Sequence, residues 1–223
     1  MISKKPTAII IGAGFTGIAT AYDLAMRGFT VDVLERGELG SGTSGRTHGL
    51  LHSGARYCVH DQESAIECIV ENNILRKIAR QCIEANAGYF IALNESDEEY
   101  AELFIRGARE CALPYKEVTP KGLLMVEPQV TPDIRRAFCV QDGTFDPLRL
   151  TYAFAASARK FGAKFHPYNE VEELIQDQTK RVIAAKVWDR VTDTHLDYHA
   201  DVWINTAGAW AGKIASMAGI DLP

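Results

Sequence analysis

At 223 residues, 47% apolar and 24% charged, the chain has the size and composition to fold around a real core, either as one domain or as one domain with a smaller one inserted. A formal charge of −5 argues against a nucleic-acid or anionic-membrane surface, and no apolar run approaches the length of a membrane span. The five cysteines, odd in number and without C-x-x-C spacing, point to reduced cytoplasmic thiols and away from a metal or iron–sulfur site; residues 1–6 show no leader pattern.

Taken in order, Thr7–Ile11 is a short, continuous, β-branched run of the kind that forms a buried parallel strand. It breaks into Gly12-Ala13-Gly14-Phe15-Thr16-Gly17, a G-x-G-x-x-G turn. Ile18, Ala21, Tyr22, Leu24 and Ala25 then recur at helical spacing up to Gly28, and Thr30–Leu34 reads as a second strand ending on Glu35. Each residue type has a physical role in such a unit. Gly12 permits the tight turn, Gly14 lets backbone approach a pyrophosphate, and Gly17 lets the helix pack closely. The helix N-terminus, with Phe15 and Thr16 in its first turn, offers N–H groups and a positive dipole end. Glu35, about twenty residues beyond the glycines, is placed to accept from ribose hydroxyls. With strand, turn, helix, strand and acidic residue all present, the unit predicts a dinucleotide site.

From Glu38 to Tyr57 the chain is rich in glycine and hydroxyl residues, and also carries Leu50, Leu51, His48, His52, Arg46 and Arg56. A stretch of that length without regular structure is expected to line a ligand. Asp61 opens a long helical pattern whose apolar stripe runs Ala65, Ile66, Ile69, Leu75, Ile78, Ala79, Cys82 and Ile83. Ala87–Leu93 reads as a strand. Ser96 and Glu99 form a capping box for a helix reaching about Cys111, a short turn or helix follows Thr119-Pro120, and Arg136–Val140 is a strand turning at Asp142-Gly143. Asp146-Pro147 caps a further helix that stops at Phe161-Gly162. Strands follow at Ala163–His166, Asn169–Ile175, Arg181–Val187 and within Thr194–Ile204, with a hairpin tip near Asp193-Thr194, and Ala209–Ala218 is helical.

The opening unit followed by T-S-G-R-T-H-G-L-L-H-S-G-A-R-Y resembles the FAD-dependent oxidoreductases of the glutathione-reductase-like type, which include D-amino-acid oxidases and glycerol-3-phosphate dehydrogenases. The loop is most similar to that of the catalytic A-type subunits of anaerobic, quinone-linked glycerol-3-phosphate dehydrogenases. The resemblance continues through Glu63–Leu75, Asp142–Leu150 and Asn205–Ala211. It implies an α/β, Rossmann-like FAD-binding domain with an inserted, partial α+β substrate domain, divided as 1–84, 85–146 and 147–223. It further implies FAD as cofactor, lined by Gly12, Gly14, Phe15, Thr16, Gly17, Glu35, Arg36, Thr43, Ser44, His48, Gly49, Leu50, Leu51, Val171, Ala207, Gly208 and Trp210. Val171 would meet the adenine side, Arg36 would lie beside the adenosine end, and the Thr206-Ala207-Gly208 turn would pass the cofactor.

The implied reaction is oxidation of sn-glycerol 3-phosphate, a phosphorylated polyol, to dihydroxyacetone phosphate, with electrons passed to a quinone through partner subunits. Arg56 would bind the substrate phosphate, since a planar, permanently charged fork suits an oxyanion. His52 would lie near the reacting carbon, either as the proton acceptor or as a structural hydrogen-bonding group, and Tyr57 would donate a hydrogen bond or pack. Family members continue beyond the position of Pro223, so the resemblance implies a C-terminally truncated chain. Alternative readings are a 2-hydroxy-acid or amino-acid oxidoreductase using FAD, and a non-catalytic FAD-binding chain. The location implied is cytoplasmic, or peripheral on the inner face of the membrane through electron-transfer or membrane-anchor subunits.

Overall fold

The computed structural model describes residues 5–222; residues 1–4, part of the stretch read above for a leader, and Pro223 lie outside the described residues. The chain forms two compact units, one from Met1–His48 with Pro147–Pro223 and one from Gly49–Asp146. The first begins with β1 (Thr7–Ile11), α1 (Phe15–Met26) and β2 (Thr30–Leu34). The second holds β3 (Leu50–Leu51), α2 (Gln62–Ile78), β4 (Ile83–Glu84), β5 (Gly88–Ala92), α3 (Glu95–Glu110), β6 (Tyr115–Val118), α4 (Pro120–Val126), β7 (Arg136–Val140) and β8 (Gly143–Phe145). The first unit resumes with α5 (Pro147–Lys160), β9 (Lys164–His166), β10 (Asn169–Gln176), β11 (Val182–Asp189), β12 (Thr194–His199), β13 (Val202–Asn205) and α6 (Ala211–Met217).

In the first unit, four parallel strands run in the order β13-β1-β2-β9. Alternation along β1 and β2 sends Ile10, Val31 and Val33 to one face, against Ile18, Ala21 and Ala25 of α1 and Ala155 and Ala158 of α5. Ile9, Ile11 and Leu34 face the other way, against Val171, Ala185 and Val187 of the antiparallel β10-β11-β12 sheet and Ile214 of α6. A strand covered on both faces must be apolar at every position, which is why β1 reads as an unbroken run. The Thr194–Ile204 stretch divides between two sheets: β12 completes the antiparallel one, and β13 pairs with β1 after a turn at Asp201. That turn is fixed to the start of β1, because the Asp201 carboxylate accepts from the N–H and the hydroxyl of Thr7 at 2.9 and 2.8 Å.

The second unit contains an antiparallel β5-β7-β6 sheet and a small β3-β8-β4 sheet. Its core gathers Phe104 and Ala108 of α3, Phe138 and Val140 of β7, Ala65 and Ile69 of α2, and Cys58. The expected cut at 84/85 falls inside this unit, because β3 and β4 both pair with β8 and so bind residues 49–84 to residues 143–145. The N-cap of α3 lies two residues before the Ser96 cap read from the sequence. Asn94 is its N-cap and accepts from the Asp97 N–H at 3.0 Å, while Asp97 accepts from the Leu93 N–H at 2.9 Å. Ser96 and Glu99 therefore lie within the helix. On α2, Ala65, Ile69 and Asn72 form the buried face, whereas Ile66 and Ile78, expected in the apolar stripe, are exposed. Among the described residues, no helix is long and apolar enough to cross a membrane.

Candidate dinucleotide site and histidine loop

Within the first unit, the C-terminal ends of β1, β2 and β13 converge, and open α/β sheets take ligands at such an edge. The glycine turn leaving β1 is tied down on three sides. Gly12 donates to Leu34 O at 2.8 Å, and the Ala13 carbonyl accepts from the Gly40 N–H at 2.9 Å. Ala13 in turn donates its N–H to Glu35 Oε2 at 2.8 Å. The other oxygen of Glu35 accepts from the Gly37 N–H at 2.8 Å, so this carboxylate braces the turn while each oxygen retains acceptor capacity for a ribose hydroxyl.

The second turn locks onto the first. The Thr206 N–H donates to Ile11 O at 2.9 Å, and its hydroxyl lies 3.0 and 2.9 Å from Ile11 O and Gly12 O. Sequence reasoning gave Thr206 no role beyond its place in a small-residue turn, because its partners lie nearly the whole length of the chain away.

The three glycines of the turn have different physical reasons. A Cβ on Gly12, whose φ is +106°, would meet Thr206 O at 2.6 Å, and one on Gly17 would meet Gly12 O at 2.0 Å. Both are required by the protein's own packing. Gly14 has an ordinary φ of −78°, and a Cβ there would meet only the Ser44 hydroxyl, at 3.0 Å. Neither backbone conformation nor dense packing demands glycine at 14, so the position suits a ligand that approaches the backbone.

α1 begins at this point with no side-chain cap from Gly14 and no acidic residue in its first turn, which leaves its positive end suited to a pyrophosphate. Ser44, in the 3-10 turn Thr43–Arg46, accepts from the Phe15 N–H at 2.9 Å. Thr43 and His48 lie on the same segment. Arg36 stacks its guanidinium 3.9 Å from the ring centroid of Trp210, joining the residue after Glu35 to the segment after Gly208. Gly208, with φ of +55° and open space beside it, carries the second turn past the strand ends. Val171 is buried in the core, at a point where the β10–β11 register shifts before Glu173. These donors, this bracing carboxylate and this cradle fit an adenine dinucleotide such as FAD.

In the second unit, His52 and Ser53 follow β3 directly. His52 Nδ1 lies 3.2 Å from Asp142 Oδ2, and Asp142 Oδ1 accepts from the Ser53 N–H at 2.7 Å and the Ser53 hydroxyl at 2.6 Å. The fully buried Asn72 turns its amide N–H₂ to Leu51 O, His52 O and Gln141 O at 3.3, 3.1 and 3.4 Å. Its carbonyl accepts from Arg76 Nε at 2.7 Å, and Arg76 Nη2 donates to the carbonyls of Gln141 and Asp142 at 2.9 and 3.1 Å. A buried polar group must be satisfied, and here one asparagine on the core face of α2 holds two chain segments at once. Gly49, with φ of +71°, brings the loop against Phe145 O, and Leu50 and Leu51 pair with Thr144 and Gly143.

Arg56 is exposed, with its guanidinium 5.3 Å from the Tyr57 ring centroid, and Tyr57 packs against the unit's core. Arg56 also lines a cavity of about 410 Å³ with Tyr89, Phe90, Tyr100, Phe104 and Asp97. Sequence reasoning missed Asp142, Asn72 and Arg76 as members of this network. The one available signal was a polar residue, Asn72, at a core position of the α2 stripe.

A parallel sheet with a braced glycine turn at its carboxyl edge defines an α/β dinucleotide-binding protein. The chain belongs to the FAD dependent oxidoreductase family (DAO), whose model matches residues 7–223, and FAD is the cofactor of that family. It is 41% identical over 229 residues to the A1 subunit of the anaerobic glycerol-3-phosphate dehydrogenase of Haloferax volcanii, covering 99% of this chain and 39% of the relative. It is 43% identical over 216 residues to the A-type subunit of the anaerobic glycerol-3-phosphate dehydrogenase of Escherichia coli K12, covering 97% of this chain and 40% of the relative. The chain thus spans about two fifths of these relatives' length. In fold it is similar to the L-proline dehydrogenase of P. horikoshii, with a TM-score of 0.80 and 24% identity over 99% of this chain and 57% of that one. It is also similar to the Bacillus halodurans glycerol-3-phosphate dehydrogenase complexed with FAD, with a TM-score of 0.71 and 23% identity over 98% of this chain and 37% of that one.

Proposed function

We propose that this chain is the FAD-binding portion of an anaerobic glycerol-3-phosphate dehydrogenase of the A-type subunit kind, oxidising sn-glycerol 3-phosphate to dihydroxyacetone phosphate. The observation that carries the reading is the 41–43% identity to relatives of that name over 97–99% of the chain. The Gly14 cradle and the α1 N-terminus, with no acidic residue in its first turn, support it from the geometry. Bound FAD would supply the hydride acceptor for a secondary alcohol. The chain's own residues hold and orient. In this reading Gly14, Phe15, Thr16 and Ser44 receive the pyrophosphate, Glu35 the ribose, and Arg36 with Trp210 the adenosine end. Thr43, His48, Gly49, Leu50, Leu51, Ala207 and Gly208 line the cofactor. His52 takes the hydroxyl proton, Arg56 the substrate phosphate, and Tyr57 supports Arg56 by stacking beneath its guanidinium. The relatives are named as subunits, which supports partner subunits; in this reading those partners carry electrons to a quinone, and the protein works in the cytoplasm or on the inner membrane face.

The test is anaerobic addition of sn-glycerol 3-phosphate to the FAD-loaded chain, alone and joined to the remaining length its relatives possess. Bleaching of the flavin band in the longer form, weakened by Arg56→Ala through a raised KM, is the expected result. Bleaching by a 2-hydroxy acid or an amino acid but not by glycerol 3-phosphate would overturn it.

A further inference from the structure

The Asp142–Leu150 segment resembles the family, yet the proposed reaction assigns it nothing. Its first residue makes three contacts of one kind. Asp142 Oδ1 takes the N–H and the hydroxyl of Ser53, and Oδ2 faces His52 Nδ1 at 3.2 Å. An ionised carboxylate only accepts, so the imidazole nitrogen facing it must carry the hydrogen. Both ends of the contact are fixed independently of the contact itself. Asn72 grips the carbonyl of His52, and Arg76 grips that of Asp142, both from α2. Gly143 allows this closeness, since a Cβ there would meet Glu84 O at 2.7 Å and Arg76 Nη2 at 3.0 Å.

We infer that Asp142 is a positioning residue that holds neutral His52 as the Nδ1–H tautomer and leaves Nε2 as the ring's basic nitrogen. This is the tautomer that free histidine disfavours, so an external partner is needed to impose it. The tautomer stands on the contacts alone. Its consequence, that Nε2 is the atom that accepts the substrate's hydroxyl proton, rests on the proposed function. No covalent change is involved; the carboxylate retains its charge and the imidazole its single hydrogen.

The experiment is long-range ¹H–¹⁵N correlation spectroscopy of the ¹⁵N-histidine-labelled chain at about pH 9, well above the ordinary histidine range. The His52 signals are identified by their loss in His52→Gln. The expected spectrum shows a protonated-type Nδ1 and an unprotonated-type Nε2. Asp142→Asn keeps an oxygen for both Ser53 donors but turns an N–H₂ toward Nδ1, and is expected to exchange the two signals. Ser53→Ala removes one donor to Oδ1 and leaves the His52 contact, so its spectrum should match the parent's and should remain readable if the Asp142 variant does not fold. An Nε2–H tautomer in the parent chain, or unchanged signals in folded Asp142→Asn, would overturn the inference.

Turnover separates this inference from the function on which its consequence rests. If His52 takes the proton, Asp142→Asn should lower glycerol 3-phosphate oxidation by about 10²–10⁴-fold, the contribution of a positioned base. Exchanged signals with unchanged turnover would leave the positioning role standing and remove His52 from the reaction.

Discussion

In the first unit the functional turn is held by close backbone contacts, with the Glu35, Ser44 and Thr206 side chains bonded onto it. Gly17 leaves room for Gly12 O, Gly12 leaves room for Thr206 O, and the Ala13 carbonyl and N–H are both taken. In the second unit the loop around His52 is held by side chains that reach from elsewhere, with Asn72 and Arg76 from α2 and Asp142 from the turn into β8. The first arrangement tolerates almost no added volume at Gly12 and Gly17. The second is also tight at Gly143, but its loop depends above all on every polar partner being present. The two should therefore fail differently when altered.

The largest effect is expected from Gly17→Ala. Its Cβ would sit 2.0 Å from Gly12 O and 2.7 Å from Thr206 Oγ1, so the turn must open. A loss of about 3 kcal/mol or more is expected in denaturant unfolding, with loss of FAD retention. Asn72→Ala should cost about 2–3 kcal/mol, because it strands buried carbonyls and the Arg76 guanidinium. By calorimetry that is a fall in Tm of about 4–12 °C for a chain of this size. A change below about 1 °C would mean that water replaces the amide at no cost and that the network does not hold the loop.

Gly14→Ala sharpens the contrast within the turn itself. With φ of −78° and only the Ser44 hydroxyl at 3.0 Å, unfolding stability should shift by less than about 1 kcal/mol. FAD affinity should nonetheless fall, since the new methyl occupies the approach to the backbone. Equal FAD affinity in the variant would remove Gly14 from the site.

The smallest effect concerns the second unit's core. Burial pushes the Cys58 thiol up to about 11 from 9.0, with Cys111 adding to the shift. The unfolded chain then loses this proton before the folded one does. The contribution is fully present below about pH 9 and declines as pH rises toward about 11. Cys58→Ala should flatten the alkaline fall of stability, with Cys68 and Cys111, also shifted upward by burial, sustaining the remainder.

The same contrast decides what is legible in the sequence. β1 and β2 occupy the residues expected of them, because strand, glycine turn, helix and strand are specified by neighbours within a few residues. Gly12, Gly14, Gly17 and Glu35 gather at the strand ends for the same reason. β6 has no signature of its own, because Tyr115–Val118 is a short, half-exposed segment that becomes a strand only by pairing with β7. Asn94 displaces the expected cap because Asp97 reciprocates by accepting from Leu93, a choice local composition does not settle. Asp142 reads as half of a turn signal, since its partners are 89 and 90 residues away. Thr206 is opaque likewise, its acceptors lying 194 and 195 residues off. The sequence marks Glu35 as a ribose acceptor, whereas its bracing of Ala13 and Gly37 depends on how the turn folds back over the end of β2.

The central claim, that the first unit forms a dinucleotide cradle able to hold FAD, is tested most directly by the visible absorption spectrum of the purified 223-residue chain after incubation with FAD and removal of excess, followed by flavin release and mass identification. The account predicts FAD retained at one equivalent by the parent chain and lost from Gly14→Ala at unchanged unfolding stability. A folded parent chain that stays colourless, or one that retains FAD equally well with the methyl in place, would contradict it.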